Sequence, residues 1–393
     1  MSTVIFSVMA GAIVLAIVSS VHRPDPQHSR NVFLMGLLVL LLLHTLGELL
    51  IASGGYRFAP QLVGIELPLR MLMGPALYLY ARSMMPTEQL RVWPTLGLAL
   101  LGPLLIVIVM APFFQLTADE KLALASPATR DPDLFRLTLI ICGATSVIFV
   151  AVTLCYLMAA LRLQARHRQR VMEQYANIET RSLDWLRFML VVWGGVWLLY
   201  ILDNVLWVLN IRPPGLDISI AVLYALAVIL FAHLALHQSP AKLETIQRSG
   251  PKAPITSESK APPVTDRISS LAPERMQRIA LKLTHAMEND RLFTNNELSL
   301  RHLADATNTS ANHLSETFSQ YLKTNFFKFV NEYRVAEAKQ RLMTTDSTVT
   351  TIAYEVGYNS RSTFNAAFKK ETGLTPTGFR NYAKGVDREE RLS

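Results

Sequence analysis

The chain has very little cysteine. Only two of its 393 residues are cysteine, Cys142 and Cys155, and both lie in one apolar run. Thirteen residues of helix would separate them by about 20 Å, too far for a disulfide. We therefore expect both to be small apolar core residues, and no disulfide framework.

Motifs for catalysis or cofactor binding are also missing. We find no nucleophile–base pairing, no glycine-rich phosphate loop, no paired-carboxylate motif and no Cys/His set with metal-ligand spacing. His233 and His237 lie one helical turn apart, but no third ligand accompanies them, and we interpret them as interfacial residues. The sequence thus predicts no enzyme, no metal site and no cofactor.

Charge is scarce, at 17% of residues against 51% hydrophobic, and the mean hydropathy is +0.27. The apolar excess lies in 1–237 and forms seven runs. Most are 20 residues or longer, which is enough to cross a hydrocarbon layer of about 30 Å. The third is the weakest, because Glu66, Pro68 and Arg70 interrupt it. The runs are 4–21, 32–52, 62–81, 92–114, 134–161, 186–209 and 217–237.

The loops between these runs differ in positive charge. With the N-terminus outside, the inner loops 22–31, 82–91 and 162–187 carry ten Arg, and the outer loops carry five Lys/Arg. This bias follows the positive-inside rule and places the residues after 237 in the cytoplasm. The first run lacks a basic start and a clear cleavage site, so we expect a retained span.

The composition changes after residue 237. Residues 238–272 are rich in Ser and Pro and poor in large apolar residues, which predicts a disordered linker of about 30–35 Å. Pro273 then opens an amphipathic helix. We place a second domain at 273–386 and a tail at 387–393.

This second domain contains a helix–turn–helix pattern near its end. Gly357 follows a short helix, where a helix end favours a residue with positive φ. Ser360 is a natural N-cap for a second helix, which carries Phe364 and Phe368 at i, i+4. The first helix has one apolar face, formed by Val349, Ile352, Ala353 and Val356.

An earlier copy of the pattern precedes it by 50 residues. Ser299 caps its first helix, 307–309 makes the turn, and Ser310 starts a helix with Leu314 and Phe318 inward. A helix of about 18 residues, or roughly 27 Å, joins the copies. This length can place two recognition helices in successive major grooves, about 34 Å apart.

Residues 273–384 resemble the DNA-binding domain of AraC-type bacterial transcription regulators. The resemblance rests on the following residues: Tyr333, Arg334, Glu337, Ala338, Lys339, Ile352, Ala353, Val356, Gly357, Tyr358, Phe364, Phe368, Lys369, Lys370, Gly373, Thr375, Pro376 and Arg380. Lys323 departs from the family, which usually has Gly there, so that turn is expected to be strained or reshaped. Glu316 and Ala366 occupy positions where base-reading Arg is common. His313 is expected to contact the preceding helix.

The resemblance implies promoter DNA as a partner, RNA polymerase as a further one, and a homodimer. The residues expected to face DNA lie on the two recognition helices, with the basic ones contacting phosphates or bases. They are Ser310, Asn312, Ser315, Glu316, Arg361, Ser362, Asn365, Lys369 and Lys370.

Several polar residues interrupt the apolar runs. Charges in a membrane should face the bundle interior or a water-filled cavity. One interpretation is a ligand-binding pocket formed by Glu48, Glu66, Arg70, Asp203 and Asn204. The other is structural: Glu66 pairs with Arg70 at i, i+4, and Asp203 and Asn204 join helices. His44 and His233 are the remaining polar residues in the runs.

The fold class we predict is all-α: a seven-helix transmembrane bundle at 1–237, then an all-α domain with two helix–turn–helix motifs. The predicted function is a multi-pass regulator of the bacterial inner membrane that senses a small-molecule or envelope signal. A transporter or membrane enzyme with a DNA-binding tail, or a bundle that serves only as an anchor, remain alternatives. We find no internal repeat and no broken span, which disfavours a transporter. The signal is expected to cross by a change in dimer spacing or by proteolysis in 238–272.

Overall fold

The computed structural model describes residues 1–22, 28–85, 92–126, 128–179, 181–208, 211, 213–237 and 271–390. These residues divide into two compact units. The first comprises 1–165 with 183–237, and the second comprises 166–182 with 271–390. The second unit is therefore built from two separate stretches of the chain.

Helices form the first unit. Within the described residues, seven segments are long and apolar enough to cross a membrane, as the run lengths predict. The helices of the first unit are α1 Ser2–Val21, α2 His28–Ala52, α3 Glu66–Arg70, α4 Met73–Ser83, α5 Val92–Phe114, α6 Ala118–Leu124, α7 Pro132–Gln174, α8 Asp184–Val208 and α9 Leu216–His237. The last residues of α7, 166–174, belong to the second unit.

The third apolar segment is not one helix. It contains a short 3₁₀ turn at Pro60–Leu62, then α3, and then α4. The expectation of unbroken spans is wrong here. Proline lacks an N–H and clashes with the carbonyl four residues earlier, so Pro68 and Pro75 weaken the helix on both sides of the break.

The core of the first unit is made of aliphatic and aromatic side chains. Met9, Ile13 and Leu37 are fully buried, and the rings of Trp193 and Phe231 meet edge-on with centroids 5.4 Å apart. Edge-to-face contact is a favoured geometry for aromatic pairs. The bundle is therefore well filled where its helices meet.

The two cysteines do not belong to this core. Both are free, as expected, but both are exposed on α7, and the expectation of core positions is wrong. Only 17% of the most apolar window of α7 is buried inside the protein. Apolar character in this helix therefore does not imply burial against other helices.

The second unit is also helical. Its described residues contain no β-strand, although one isolated β-bridge joins Tyr175 and Ser299. Both units together confirm the all-α class. The helices of the second unit are α10 Pro273–Glu288, α11 Leu300–Ala306, α12 Ala311–Glu316, α13 Phe326–Thr344, α14 Val349–Glu355, α15 Arg361–Thr372 and α16 Pro376–Glu390.

The expected caps are present at these helix starts. The side chains of Ser299, Ser310 and Ser360 accept hydrogen bonds from the backbone N–H groups three residues later. Each satisfies one N–H that has no partner within the helix. Gly357 has φ +96°, in agreement with its predicted turn.

Two small cores lie on either side of α13. Leu303, Leu314 and Phe318 are buried in the first, and Ile352 and Phe364 in the second. Since α13 has 19 residues, it is about 28 Å long, close to the predicted length. The repeated pattern therefore folds as two helix–turn–helix modules joined by one helix.

The predicted domain limits differ from the structure at both ends. Leu271 is buried in the core of the first module, although we placed it in the linker. Helix α16 continues to Glu390, past the predicted limit at 386. The other linker residues, 238–270, and the tail residues 391–393 lie outside the described part of the chain.

Candidate nucleic-acid interface and internal cavity

The recognition helix of the first module, α12, is short and ends in a π-helical turn at Thr317–Tyr321. Its predicted DNA-facing residues Ser310, Asn312 and Ser315 are exposed. Lys323 follows the π turn with φ +51°, a conformation that favours glycine. This confirms the unusual turn that the sequence predicts.

The recognition helix of the second module, α15, presents a polar face. Arg361, Ser362, Lys369 and Lys370 are exposed. Asn365 is only partly exposed, and its side-chain oxygen has no hydrogen-bond partner. Because Phe364 and Phe368 hold the opposite face in the core, the polar face of α15 is left to solvent.

Glu316 is not oriented as the sequence suggests. Its carboxylate accepts a hydrogen bond of 3.0 Å from the backbone N–H of Leu271. It therefore holds the start of the domain against the first module. To contact a base, Glu316 would first have to give up this bond.

The two modules meet at a fully buried arginine, Arg334 on α13. Its Nε donates to the carbonyl of Phe293 at 2.8 Å and its Nη2 to that of Asn295 at 2.9 Å. Its Nη1 donates to Oδ1 of Asn177 at 2.8 Å. Burial lowers the pKa of Arg334 to about 10, so the group remains charged at neutral pH.

Asn177 comes from the short segment 175–182, which lies outside the predicted domain. Its amide donates to the carbonyls of Asn296, at 2.5 Å, and Gly357, at 3.1 Å. Thus one side chain bonds both modules and Arg334. No periodic pattern pointed to this residue, and no local signal in the sequence could have done so.

A surface ion network also involves the linking helix. Glu337 accepts hydrogen bonds from Arg291 at 2.5 Å and Arg341 at 2.7 Å, and Arg341 also pairs with Glu355. Partial burial acts to raise the pKa of Glu337, but the hydrogen bonds and charges of the two arginines outweigh it and lower that pKa.

We expect Glu337→Gln to destabilise the second unit by about 1 kcal/mol at pH 7, because its ion pairs are partly exposed. A carboxyl with a lowered pKa stabilises the fold above its unfolded-state pKa, and this contribution is lost as pH falls. The difference from wild type should therefore shrink below about pH 4.5, the ordinary pKa of this group. Hydrogen exchange in α13 and α14 at several pH values measures it, and Glu355→Gln, which removes a single arginine pair, should have a smaller effect.

The first unit contains a cavity of about 380 Å³, within the range of small-ligand sites. Of the five predicted pocket residues, Glu48, Arg70 and Asp203 line it. Glu66 lies beside Glu48, and the side chain of Asn204 is outside the described part of the structure. The structure therefore brings together residues from distant runs, as the pocket interpretation requires.

Arg70 is buried against this cavity but does not pair with Glu66. No ion pair within 4.0 Å joins the two among the described residues. Instead Nη1 of Arg70 donates to the Tyr200 hydroxyl at 3.2 Å. The guanidinium also lies over the rings of Phe149, Trp197 and Tyr200, at 4.3, 4.9 and 4.5 Å. The structural i, i+4 pair is thus replaced by an aromatic cage.

The aromatic part of this cavity was not predicted from the sequence. Trp197, Tyr200 and Tyr224 line it together with Asp217. In an apolar run these aromatics look like ordinary bundle core. The spacing of Trp197 and Tyr200 along α8 gives only a weak signal, because such stripes are common where helices meet, and Tyr224 lies on a different helix, α9.

Comparison with known families confirms the second unit as a DNA-binding type. Residues 303–382 match a family described as "Helix-turn-helix domain", which is of the AraC type. The part matched is about a fifth of the chain and does not include the first unit. The chain therefore contains an AraC-type helix–turn–helix domain.

Curated relatives match a similar, limited share of the chain. The regulator YtdP of Bacillus subtilis strain 168 is 28% identical over 124 residues, covering 32% of this chain and 16% of the relative. An HTH-type transcriptional regulator of Staphylococcus aureus strain COL is 34% identical over 99 residues, covering 25% and 13%. The chain thus spans less than a fifth of the length of these relatives.

Two solved structures also match about a quarter of the chain. The C-terminal domain of AraT, a response regulator from Geobacillus stearothermophilus, is 27% identical, covers 28% of this chain and 84% of that one, and has a TM-score of 0.23. The C-terminal domain of the response regulator yesN from Fusobacterium nucleatum is 26% identical, covers 27% and 95%, and has a TM-score of 0.23.

Proposed function

We propose that this protein is a membrane-embedded transcription regulator. Its first unit senses a signal in the inner membrane of a bacterium, and its second unit binds promoter DNA in the cytoplasm. The observation that carries the proposal is the presence, in one chain, of seven apolar segments and an AraC-type domain. A soluble regulator has no need of seven such segments.

The proposed DNA contacts lie on α12 and α15. The exposed residues of α12 approach one major groove and those of α15 the next, while α13 sets their separation. Lys369 and Lys370 contact phosphates, and Asn365 reads a base edge once its unpaired oxygen turns outward. A homodimer and RNA polymerase complete the expected assembly at the promoter.

The proposed signal site is the cavity in the first unit. It combines one buried cation, Arg70, with the carboxylates of Glu48, Asp203 and Asp217. Charged groups in an apolar bundle are expensive to bury. Binding a polar small molecule or an envelope signal in this pocket would account for the free-energy cost of burying these charged groups.

Reporter fusions test the orientation. We expect β-galactosidase at the C-terminus to be active and alkaline phosphatase at the same place to be inactive. Phosphatase inserted after Ser126, in the predicted outer loop 113–136, should instead be active. An active phosphatase at the C-terminus would overturn the proposal, because that side of the membrane contains no promoter.

The broken third segment favours one alternative, a transporter with a DNA-binding tail. Interrupted helices beside a polar cavity also occur in transporters. Proteoliposomes containing the full chain distinguish the two, using labelled amino acids as solutes of suitable size. Saturable uptake that Arg70→Met abolishes would favour a transporter with a DNA-binding tail.

A further inference from the structure

Three ligand-forming side chains converge at one wall of the cavity. An imidazole nitrogen of His44 and carboxylate oxygens of Glu48 and Glu66 all lie within 4.8 Å of one another. Among the described residues, this is the group of three His, Cys, Asp or Glu side chains whose ligand atoms lie close enough together to bind one metal ion. His44 and Glu48 share one face of α2, one turn apart.

Two of these groups are buried without a partner. His44 is only 6% exposed, and its Nδ1 has no hydrogen bond. One oxygen of Glu66, Oε2, is likewise unpaired. Buried polar atoms are nearly always hydrogen-bonded, so two unpaired ones within one cluster of ligand-forming side chains indicate a missing ligand.

The backbone is shaped to allow the cluster. A Cβ at Gly47 would lie 2.5 Å from Cγ of Glu66. Only glycine there lets Glu66 approach α2 between His44 and Glu48. Nearby Arg70 does not neutralise the carboxylates by contact, because its Nη1 bonds Tyr200 and no ion pair reaches them within 4.0 Å.

We propose that His44, Glu48 and Glu66 bind a divalent transition-metal ion of the Zn²⁺ type. One nitrogen and two carboxylates form a three-ligand set that leaves a coordination position open. In tetrahedral geometry the ligand atoms lie roughly 3.3 Å apart, so modest rotation of the glutamates closes the site. His44 and Glu48 also line the cavity, from which water or a signal molecule fills the open position.

Cobalt titration of the full chain in lipid nanodiscs tests the proposal. After chelator treatment, we expect one equivalent of Co²⁺ to give the visible ligand-field band of a tetrahedral site, and Zn²⁺ to displace it. His44→Ala and Glu66→Gln should weaken binding by at least tenfold, and Gly47→Ala should do so with all three ligands intact. Glu48→Gln serves if one of these variants fails to fold.

The matched control is the second histidine pair. His233 and His237 stack on α9 with ring centroids 4.2 Å apart, and their replacement by Ala should leave the band unchanged. A band that persists in His44→Ala and Glu66→Gln, or that disappears with the control pair, means an adventitious ion only. No band at all also overturns the proposal, and neither result bears on DNA binding.

A second inference comes from segment 175–182, which is part of the second unit together with the DNA-binding domain. Ala176 is fully buried in the first module and its N–H donates to the carbonyl of Leu298 at 3.1 Å. Asn177 bonds Gly357 in the second module. Ala176 and Asn177 therefore lie at the junction between the modules.

The segment supplies hydrogen-bond acceptors for the buried charge of Arg334 at this junction. Around Arg334, the segment supplies Oδ1 of Asn177 at 2.8 Å and the carbonyl of Ala176 at 3.5 Å, and Glu179 adds a favourable charge. Hydrogen bonds to a charged group stabilise a fold more than bonds between neutral groups do. Withdrawing the segment thus frees the modules to move relative to each other.

We infer that segment 175–182 couples the first unit to DNA binding by fixing the separation of α12 and α15. Its covalent position supports this, since α7 ends at Gln174, directly before the segment, and α8 begins at Asp184, two residues after its last residue. Because the segment is covalently joined to α7 and α8, a shift of either of these two helices is transmitted through the backbone to Asn177. This inference rests on the proposed function of the second unit.

Full-site and half-site DNA separate coupling from unfolding. Using the full chain and sites found by sequencing its bound DNA, we expect Asn177→Ala to lower full-site affinity about tenfold and to leave half-site affinity unchanged. Loss of both would mean a purely structural role and overturn the inference, as would full-site affinity within twofold of wild type. A wild-type chain that binds no DNA would instead contradict the proposed function.

Two further variants sharpen this test. Arg181→Ala removes the partly exposed pair with Glu297, 3.2 Å long, and a contact with the ring of Tyr175, and should lower full-site affinity far less than Asn177→Ala does. A disulfide between Tyr175→Cys and Ser299→Cys, which form the antiparallel bridge, should restore full-site affinity to Asn177→Ala on oxidation, with Cys142 and Cys155 replaced by Ala. Failure to restore it in the cross-linked chain counts against fixed separation.

Discussion

Gly357→Ala is expected to unfold the second helix–turn–helix module at temperatures where the rest of the chain remains folded. Gly357 has φ +96°, and an added Cβ would lie 2.5 Å from the carbonyl oxygen of Phe293 and 2.9 Å from that of Thr294. Both obstacles are backbone atoms, which cannot rotate away. The strained backbone and the clash together should cost roughly 3–4 kcal/mol.

The effect should also reach Arg334, whose Nε donates to the same Phe293 carbonyl. Moving that carbonyl weakens a bond to a buried charge. Hydrogen exchange of the full chain measures the outcome, with protection lost in α14 and α15 and retained in α1 and α2. Loss in all helices alike would indicate general misfolding instead.

Gly373→Ala is the matched control. Gly373 ends α15 with φ +78°, but an added Cβ would meet nothing within 4 Å. Only the backbone conformation then costs free energy, about 1 kcal/mol. If both variants lost the same stability, the close approach of the Phe293 carbonyl would not be the cause.

Replacing Lys369 and Lys370 together with alanine should weaken binding to every DNA sequence. Both side chains are exposed at the end of α15. The slope of log K against log salt is negative, and each lost phosphate contact reduces its magnitude by about 0.9. Such a contact raises affinity about eightfold at 0.1 M salt over its value at 1 M, where the counterion effect vanishes. The double replacement should therefore lower affinity at 0.1 M salt on the order of 60-fold and reduce the magnitude of the slope by about 2.

The control removes equal charge from another surface. Arg275 and Arg278 are exposed on α10, away from both recognition helices in the sequence. Their replacement by Ala should change affinity and slope far less. Equal losses in the two double variants would show that net charge alone drives binding, and would contradict the assignment of α15 to the groove.

Local chemistry explains which parts of the fold were predictable. Run length alone predicts the seven apolar segments, because a helix must hold about 20 residues to cross the hydrocarbon layer. Side-chain oxygens at Ser299, Ser310 and Ser360 predict helix starts. The break in the third segment follows from Pro68 and Pro75, which lack the N–H that a continuous helix needs, although the hydropathy of the run stays high there.

The candidate sites depend on contacts between distant residues. Asn177 and Arg334 are 157 residues apart, and no periodic pattern relates them. Similarly, Glu66 can approach His44 only because Gly47 has no side chain to fill the space between them. A glycine in an apolar run does not by itself indicate such a contact. The exposed face of α15 was predictable because Phe364 and Phe368 at i, i+4 define its opposite side.

The discontinuous second unit limits what a truncated protein can reveal. A fragment that starts after the linker lacks residues 166–182, and with them Ala176 from a core and two acceptors of Arg334. Such a fragment, whether made by a protease in the cell or cloned for crystallisation, should melt at a lower temperature than the same residues in the intact chain. Adding a synthetic peptide of residues 166–182 should raise that melting temperature.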